Sequence, residues 1–277
     1  MNGAIVNADS AQVYADLRIL SARPTEAEMA GVEHRLLGTR DGAQACSAAE
    51  WADEARGVIA GLHDRGTLPV LVGGTGLYLR TLLDGIAELP PIDAAIRAEV
   101  RSGSAARNHA RLAALDPEAA KRLHPNDSQR VARALEVILS TGRKLRTWQD
   151  RAVGGLRDRV TLFGVRLEVE RDTLNRRIDR RFAEMIETGA LDEVARLLTR
   201  SLPPSLPVMR AIGVPEIAAH LNGNSDLEST IALGQLATRQ YAKRQSTWFR
   251  HQQLGLEPIS PEAALPRLLA MAKVAGC

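Results

Sequence analysis

Aromatic residues and cysteines are scarce in this 277-residue chain, and each scarcity argues against particular kinds of core or protein. Aromatic side chains make up 3% of the residues, so a hydrophobic core must be aliphatic, formed by Leu, Val, Ile and Ala. The two cysteines, Cys46 and Cys277, are far apart and belong to no motif, which argues against a secreted disulfide scaffold and against a zinc site. No apolar run approaches the roughly 18 residues of a membrane helix, and no signal-peptide pattern precedes the first apolar segment. These absences predict a soluble, cytoplasmic protein.

Lysine is also scarce, and its positions exclude one motif outright. Only Lys121, Lys144, Lys243 and Lys273 are lysines among the 36 basic residues, and none of them follows a glycine. A phosphate-binding loop of the G-x-x-x-x-G-K-[ST] type is therefore absent from the sequence. The net charge of +3 does not by itself imply nucleic acid. A GC-rich genome explains the total number of arginines, although not their clusters.

The first third of the chain follows an α/β pattern. Residues 3–8 read as a strand, and residues 45–65 as a helix with a capping box between Ser47 and Glu50. The apolar run Leu68–Val72 is typical of a buried parallel strand, and it ends in the glycine turn Gly73–Gly76 before a helix over 77–84. Strand, helix, strand, glycine turn and helix in this order predict a parallel sheet.

The middle of the chain is different, because residues 94–150 show helical periodicity with almost no β signal. One helix should begin at His124–Asp127 and stop at Thr141–Gly142. A strand over 161–167, a helix over 171–188 capped by Gly189, a helix pair after Pro203–Pro204 and a long helix over 228–251 complete the chain. We expect an α/β core formed by residues 1–84 and 160–277, interrupted by a helical insertion over 85–159.

Two candidate site residues follow the predicted strands. Asp9 ends the first strand, where a carboxylate can act as a general base or bind magnesium. The alternative, that Asp9 only caps the next turn, is favoured for an isolated Asp-Ser pair. Thr75, in the glycine turn, could contact a phosphate or a base, although such a turn alone usually only joins a strand to a helix.

Three arginine-containing segments are further candidates. Gln129, Arg130 and Arg133 share a face near a helix start, where anions are favoured, or else form a solvated face. In the last long helix, Arg239, Lys243 and Arg250 fall within about 40° of one another, while Tyr241 and Trp248 project to the opposite side for packing. The third segment, Arg210 with Gly213 near a helix start, is weak by itself.

Four blocks in this order resemble the tRNA dimethylallyltransferase family, over nearly the whole chain from Asn2 to about Arg250. They are Asn7-Ala-Asp-Ser-Ala-Gln-Val-Tyr14, Gly73-Gly-Thr-Gly-Leu-Tyr78, His124-Pro-Asn-Asp-Ser-Gln-Arg-Val-Ala-Arg-Ala-Leu-Glu-Val137 and Lys243-Arg-Gln-Ser-Thr-Trp-Phe-Arg250. The resemblance implies a P-loop NTPase-like parallel sheet with a helical insertion. It also implies transfer of a dimethylallyl group from dimethylallyl diphosphate to N6 of adenosine 37, in tRNAs that read codons beginning with U.

The resemblance also implies roles for individual residues. Asp9 matches the catalytic aspartate, and Arg210 is the candidate for neutralising the leaving diphosphate together with Mg²⁺. The implied partners are a tRNA anticodon stem-loop and dimethylallyl diphosphate, with no membrane, and the protein is expected to be a monomer. No metal ligand is assigned within this chain. The positions that match substrate or tRNA contacts are Ser10, Ala11, Gln12, Thr75, Arg97, Gln129, Arg130, Arg133, Gly213, Lys243, Arg244, Gln245, Trp248 and Arg250.

The printed sequence departs from the family at its start. In the family, a strand, a phosphate-binding loop and a helix precede the segment that contains Asp9. Without a central strand the sheet would expose unpaired backbone and apolar surface, so we expect the 277-residue chain alone to fold poorly or aggregate. A single sharp cooperative thermal transition would contradict this. The alternatives are a catalytically inactive, truncated relative that at most binds tRNA, and a small-molecule P-loop kinase.

Overall fold

A computed structural model describes residues 2–149, 152–252 and 254–274. Its strands are β1 (Gly3–Asn7), β2 (His34–Arg35), β3 (Leu68–Val72), β4 (Ile86–Ala87), β5 (Ala152–Val153), β6 (Val165–Leu167) and β7 (Glu257–Ile259). Its α-helices are α1 (Glu26–Met29), α2 (Ala48–Asp64), α3 (Gly76–Asp84), α4 (Ala94–Ser102), α5 (Ala105–Leu115), α6 (Pro117–Arg122), α7 (Ser128–Thr141), α8 (Leu145–Gln149), α9 (Arg171–Met185), α10 (Leu191–Thr199), α11 (Val214–Leu221), α12 (Leu227–His251) and α13 (Pro261–Val274). The chain divides into two compact units, one of residues 1–82 and 157–277 and the other of residues 83–156.

The main sheet of the first unit is parallel, as the sequence predicts. Its order is β2-β1-β3, with Ile5 of β1 opposite His34 on one side and Val70 on the other. The prediction that β3 is buried is wrong, because β3 is an edge strand whose Val70 and Val72 are 40% and 51% exposed. This edge of the sheet is open within the described residues.

Helix α2 packs against β1 and β3 and has the predicted capping box. The Ser47 side chain accepts the backbone N–H of Glu50, and the Glu50 side chain accepts the N–H of Ser47. The core is not purely aliphatic, since Tyr14, Trp51 and Tyr78 are buried with the leucines. The Trp51 and Tyr78 rings stack with their centroids 4.6 Å apart, so the core of the first unit contains an aromatic pair.

The rest of the first unit is mostly helical. The helix predicted over 171–188 ends earlier, at Met185, and a π-helical turn over Ile186–Ala190 joins α9 to α10, with Gly189 at a φ of 108°. Helix α9 packs on α12 at Gly234, where a methyl group would lie 2.0 Å from the Phe182 ring. The strand predicted over 161–167 is formed only at Val165–Leu167, where β6 pairs in parallel with β7.

The second unit is formed by α4 to α8 with the antiparallel pair β4 and β5. Helix α5 packs on α6 and α7 around a small core that contains Leu112, Ala119 and Val131. The predicted helix start and stop are confirmed, because Asp127 caps the N-terminus of α7 and Gly142 ends it in the left-handed conformation. In the part of the chain that the structure describes, no helix has both the length and the apolar character needed to cross a membrane.

Candidate functional site

Asp9 lies immediately beyond the C-terminal end of β1 and is half-buried. The buried Asn7 fixes its backbone: the Asn7 amide donates to the Asp9 carbonyl at 3.0 Å, and the Asp9 N–H donates to Asn7 Oδ1 at 2.9 Å. Asp9 Oδ1 accepts the N–H groups of Ala11 at 2.8 Å and Gln12 at 3.3 Å. The turn-capping interpretation is therefore correct for one carboxylate oxygen. The second oxygen has no hydrogen bond within the described residues.

Thr75 ties the glycine turn after β3 to the segment that contains Asp9. Its hydroxyl accepts the N–H of Ser10 at 2.9 Å and donates to the Ser10 hydroxyl at 3.1 Å. Its own N–H donates to the Ala8 carbonyl at 3.1 Å. Because β1 and β3 are parallel neighbours, their carboxyl ends place Asp9 and Thr75 side by side, which is where α/β sheets bind ligands.

Helix α12 packs on this glycine turn. The Gln245 amide donates to the Gly74 carbonyl at 2.9 Å, and a methyl group at Gly74 would lie 1.8 Å from that amide nitrogen. A methyl group at Gly76 would lie 2.1 Å from the Trp248 ring. Gly76 thus permits the close approach of the rigid Trp248 ring, and at Gly74 the flexible end of Gln245 would have to shift. The sequence suggested only the approach of a ligand.

Tyr241 also belongs to this site, and the sequence interpretation assigned it to packing alone. Burial raises the pKa of the Tyr241 hydroxyl, and the nearby Asp9 carboxylate raises it further, while the Thr75 hydroxyl and the Arg244 guanidinium act in the opposite direction. The phenol therefore stays protonated near Asp9 and Thr75. The spacing of Tyr241, Gln245 and Trp248 at i, i+4 and i+7 was the available signal, since it places all three on one face of α12.

One of the three basic residues of the stripe predicted on α12 has an acidic partner. Arg239 is engaged in an ion pair with Asp179 of α9. Lys243 and Arg250 are exposed, and the Arg244 guanidinium carbon lies 5.8 Å from the centroid of the Tyr241 ring. Lys243, Arg244 and Arg250 consequently carry exposed positive charge in the C-terminal half of this helix.

Other predicted residues of the first unit have different surroundings. The Gln12 amide donates to the carbonyls of Ser21 and Ala22, both at 3.1 Å, and so holds its own loop. Arg210 is exposed in a short 3₁₀ helix and donates to the Pro204 carbonyl at 3.3 Å. No hydrogen bond or ion pair joins Arg210 to Asp9 in the described chain. Gly213 is the N-cap residue of α11 and has a φ of 94°.

The remaining predicted residues lie in the second unit. Gln129 and Arg130 are exposed near the N-terminus of α7, and Arg130 pairs with Asp127 at 3.1 Å. Arg133 is half-buried one turn further along, and Arg97 is exposed on the neighbouring α4. The solvated-face interpretation and the anion-binding interpretation both remain compatible with this exposure.

The fold and the geometry of the candidate site together indicate a class of protein. A parallel sheet of the P-loop NTPase-like kind, with a carboxylate and a hydroxyl at the ends of adjacent strands, is that of an α/β enzyme. A family model described as IPP transferase matches residues 12–252. The chain belongs to the IPP transferase family.

Named relatives agree with this assignment. The chain is 59% identical to the tRNA dimethylallyltransferase of Sphingopyxis alaskensis, over 96% of this chain and 84% of that protein. It is also 59% identical to the tRNA dimethylallyltransferase of Novosphingobium aromaticivorans, over 92% of this chain and 90% of that protein.

Solved structures are similar as well. The tRNA isopentenylpyrophosphate transferase of Bacillus halodurans matches with a TM-score of 0.68 and 33% identity, over 99% of this chain and 91% of the other. A eukaryotic dimethylallyltransferase acting on tRNA matches with a TM-score of 0.78 and 26% identity, over 99% of this chain and 71% of the other.

Proposed function

We propose that this chain transfers the dimethylallyl group of dimethylallyl diphosphate to N6 of adenosine 37 in tRNAs that read codons beginning with U. The product is N6-isopentenyladenosine. The observation that carries the proposal is the placement of Asp9 and Thr75 at the joined ends of β1 and β3, with Tyr241 beside them. The named relatives support it, and they give no support to the inactive alternative or to a small-molecule kinase.

The proposed reaction is a substitution at carbon. The N6 lone pair forms a bond to C1 of the dimethylallyl group, the C1–oxygen bond breaks, and diphosphate leaves with that electron pair. An exocyclic adenine amine is a weak nucleophile, so a base must accept the N6 proton as the bond forms. Asp9 is assigned this role because one of its oxygens is free, and Thr75 is assigned to orient the amine. The target base must be extruded from the anticodon loop to reach them.

Charge neutralisation of diphosphate is the other requirement. Arg210 is the proposed cation, since it is exposed and has no carboxylate partner within the described residues. Mg²⁺ is the proposed cofactor by family membership. The described residues contain no group of three or more acidic, histidine or cysteine side chains that could hold a metal ion.

The proposed RNA contacts come from both units and are assigned by family membership. In the first unit they are Ser10, Ala11, Gln12, Thr75, Gly213, Lys243, Arg244, Gln245, Trp248 and Arg250. In the helical insertion, proposed to span residues 85–159, they are Arg97, Gln129, Arg130 and Arg133. The protein is proposed to act as a cytoplasmic monomer.

The test is a transfer assay with the natively expressed protein. An anticodon stem-loop with adenosines at positions 36–38 is incubated with isotopically labelled dimethylallyl diphosphate and Mg²⁺, and its nucleosides are analysed by mass spectrometry. We expect N6-isopentenyladenosine at position 37 and one diphosphate released per modified nucleoside. A stem-loop with guanosine at position 37, which has no N6 amine, is the matched control. Binding of the stem-loop without any diphosphate release would instead establish the inactive alternative.

A further inference from the structure

Glu136 on α7 is a buried carboxylate that faces two arginines. It is 1% exposed, and its Oε1 accepts a hydrogen bond from Nε of Arg101 on α4 at 2.9 Å. Its Oε2 lies 3.8 Å from Nη1 of Arg133 and has no hydrogen-bond partner within the described residues. One buried group therefore lies between guanidinium groups carried by two packed helices.

The arginines keep most of their hydrogen-bonding capacity. A guanidinium has five N–H donors, and Arg101 uses only the one on Nε in the described structure. Its side chain is 67% exposed and that of Arg133 is 42% exposed. Because the terminal nitrogens of a guanidinium match the oxygens of a phosphate group in pairs, both arginines can bind phosphate while Glu136 holds them from beneath.

Neighbouring acidic side chains are engaged elsewhere. Glu99 of α4 pairs with Arg111 of α5 at 2.9 Å. Asp127 caps α7 and pairs with Arg130 at 3.1 Å. Arg97 lies one turn before Arg101 on α4 and is exposed. The net charge on this side of α4 and α7 is therefore positive.

We propose that Arg101 and Arg133 form a phosphodiester-binding pair for the substrate RNA, and that Glu136 is the positioning residue that holds them. This rests on the proposed function, since it names a contact to the same RNA. A buried carboxylate is costly to keep, and an apolar side chain of similar size would often stabilise the unit as well. Fixing two long side chains before RNA binds reduces the entropy lost on binding, which accounts for the carboxylate.

The sharpest test is Glu136→Gln, because a purely electrostatic role and a positioning role of Glu136 predict opposite changes in RNA affinity. If only charge mattered, removing a negative group beside RNA would tighten binding. If Glu136 positions the arginines, binding of a fluorescent anticodon stem-loop should weaken by about threefold to tenfold, of the order expected for a phosphate contact. Glu99→Gln is the matched control, because Glu99 lies on the same helix as Arg101 but pairs with Arg111 of α5. It should leave binding unchanged or tighten it.

A second variant tests the same proposal if Glu136→Gln does not fold. Arg101→Ala combined with Glu136→Leu removes the guanidinium together with the buried charge, so no unpaired ion remains. It should weaken binding of the stem-loop by about tenfold. The slope of the logarithm of the binding constant against the logarithm of salt concentration should become smaller in magnitude by about one. Arg107→Ala removes an exposed arginine from α5 and should leave both quantities unchanged.

The outcomes separate this inference from the proposed function. Unchanged affinity and salt dependence in both variants, with thermal melts like that of the parent, would overturn the inference even if the parent chain transfers the prenyl group. Weakened binding with a smaller salt dependence would support it even if the parent transfers nothing, because binding is measured without dimethylallyl diphosphate. A lower melting temperature with unchanged salt dependence would show that Glu136 has only a structural role.

Discussion

Asp9→Asn should lower the rate of prenyl transfer by about 10²–10⁴-fold at saturating substrates, the range associated with a general base. The asparagine side chain keeps the shape of the carboxylate. Its amide oxygen can still accept the N–H groups of Ala11 and Gln12 that Asp9 Oδ1 accepts now. The loss should therefore be one of chemistry, measured as the single-turnover rate constant, while stem-loop affinity and melting temperature stay close to those of the parent.

Asp16→Asn is the control for Asp9→Asn, because Asp16 is a second carboxylate in the same loop. Asp16 accepts the Gly42 N–H at 2.8 Å and pairs with Arg200, and it makes no contact with Thr75 or Tyr241 in the described chain. Its replacement should lower the melting temperature but not the single-turnover rate constant. A rate for Asp9→Asn within tenfold of the parent would remove Asp9 from the role of base.

Gly73→Ala should disrupt both stability and activity. A methyl group at this position would lie 2.3 Å from the carbonyl carbon of Ala8 and 2.4 Å from its oxygen, and backbone atoms cannot rotate away. Overpacking of this kind costs about 1–3 kcal/mol, which should appear as a lower melting temperature. The strain falls between the ends of β1 and β3, so Asp9 and Thr75 should also move apart. A displacement of about 1 Å can reduce a rate by about 10²-fold.

Gly57→Ala is the matched control for Gly73→Ala. Gly57 lies in the middle of α2 with open space where the methyl group would go. Alanine should stabilise this helix by about 0.5–1 kcal/mol and leave transfer unchanged. If Gly73→Ala melted and reacted like Gly57→Ala, the close approach of the two strand ends would not be required.

Local signals in the sequence were sufficient for most of the fold. The Ser47–Glu50 capping box, the Asp127 cap and the Gly142 stop depend on residues a few positions apart, and all are present as predicted. The exposure of β3 could not be predicted in this way, since an apolar run of five residues has the same pattern at the edge of a sheet as at its centre.

In the candidate site too, features set by neighbouring residues could be predicted, whereas contacts between residues far apart in the sequence could not. Asp9 and Thr75 were identified because strand ends and glycine turns can be recognised locally. The approach of α12 to the glycine turn joins residues 171 positions apart, Gly74 and Gln245. The spacing of Tyr241, Gln245 and Trp248 indicates one face of α12, but it does not show that this face meets the glycine turn, nor that Arg239 is paired with Asp179 across helices.

The exposed outer side of β3 has a consequence for how a neighbouring chain segment would meet the candidate site. Its backbone is available for one more parallel strand, and Val70 and Val72 offer that strand an apolar surface. Parallel strands run in the same direction, so the strand would finish level with Gly73. The first residues after it would emerge beside the glycine turn that carries Thr75, on the side of that turn away from β1.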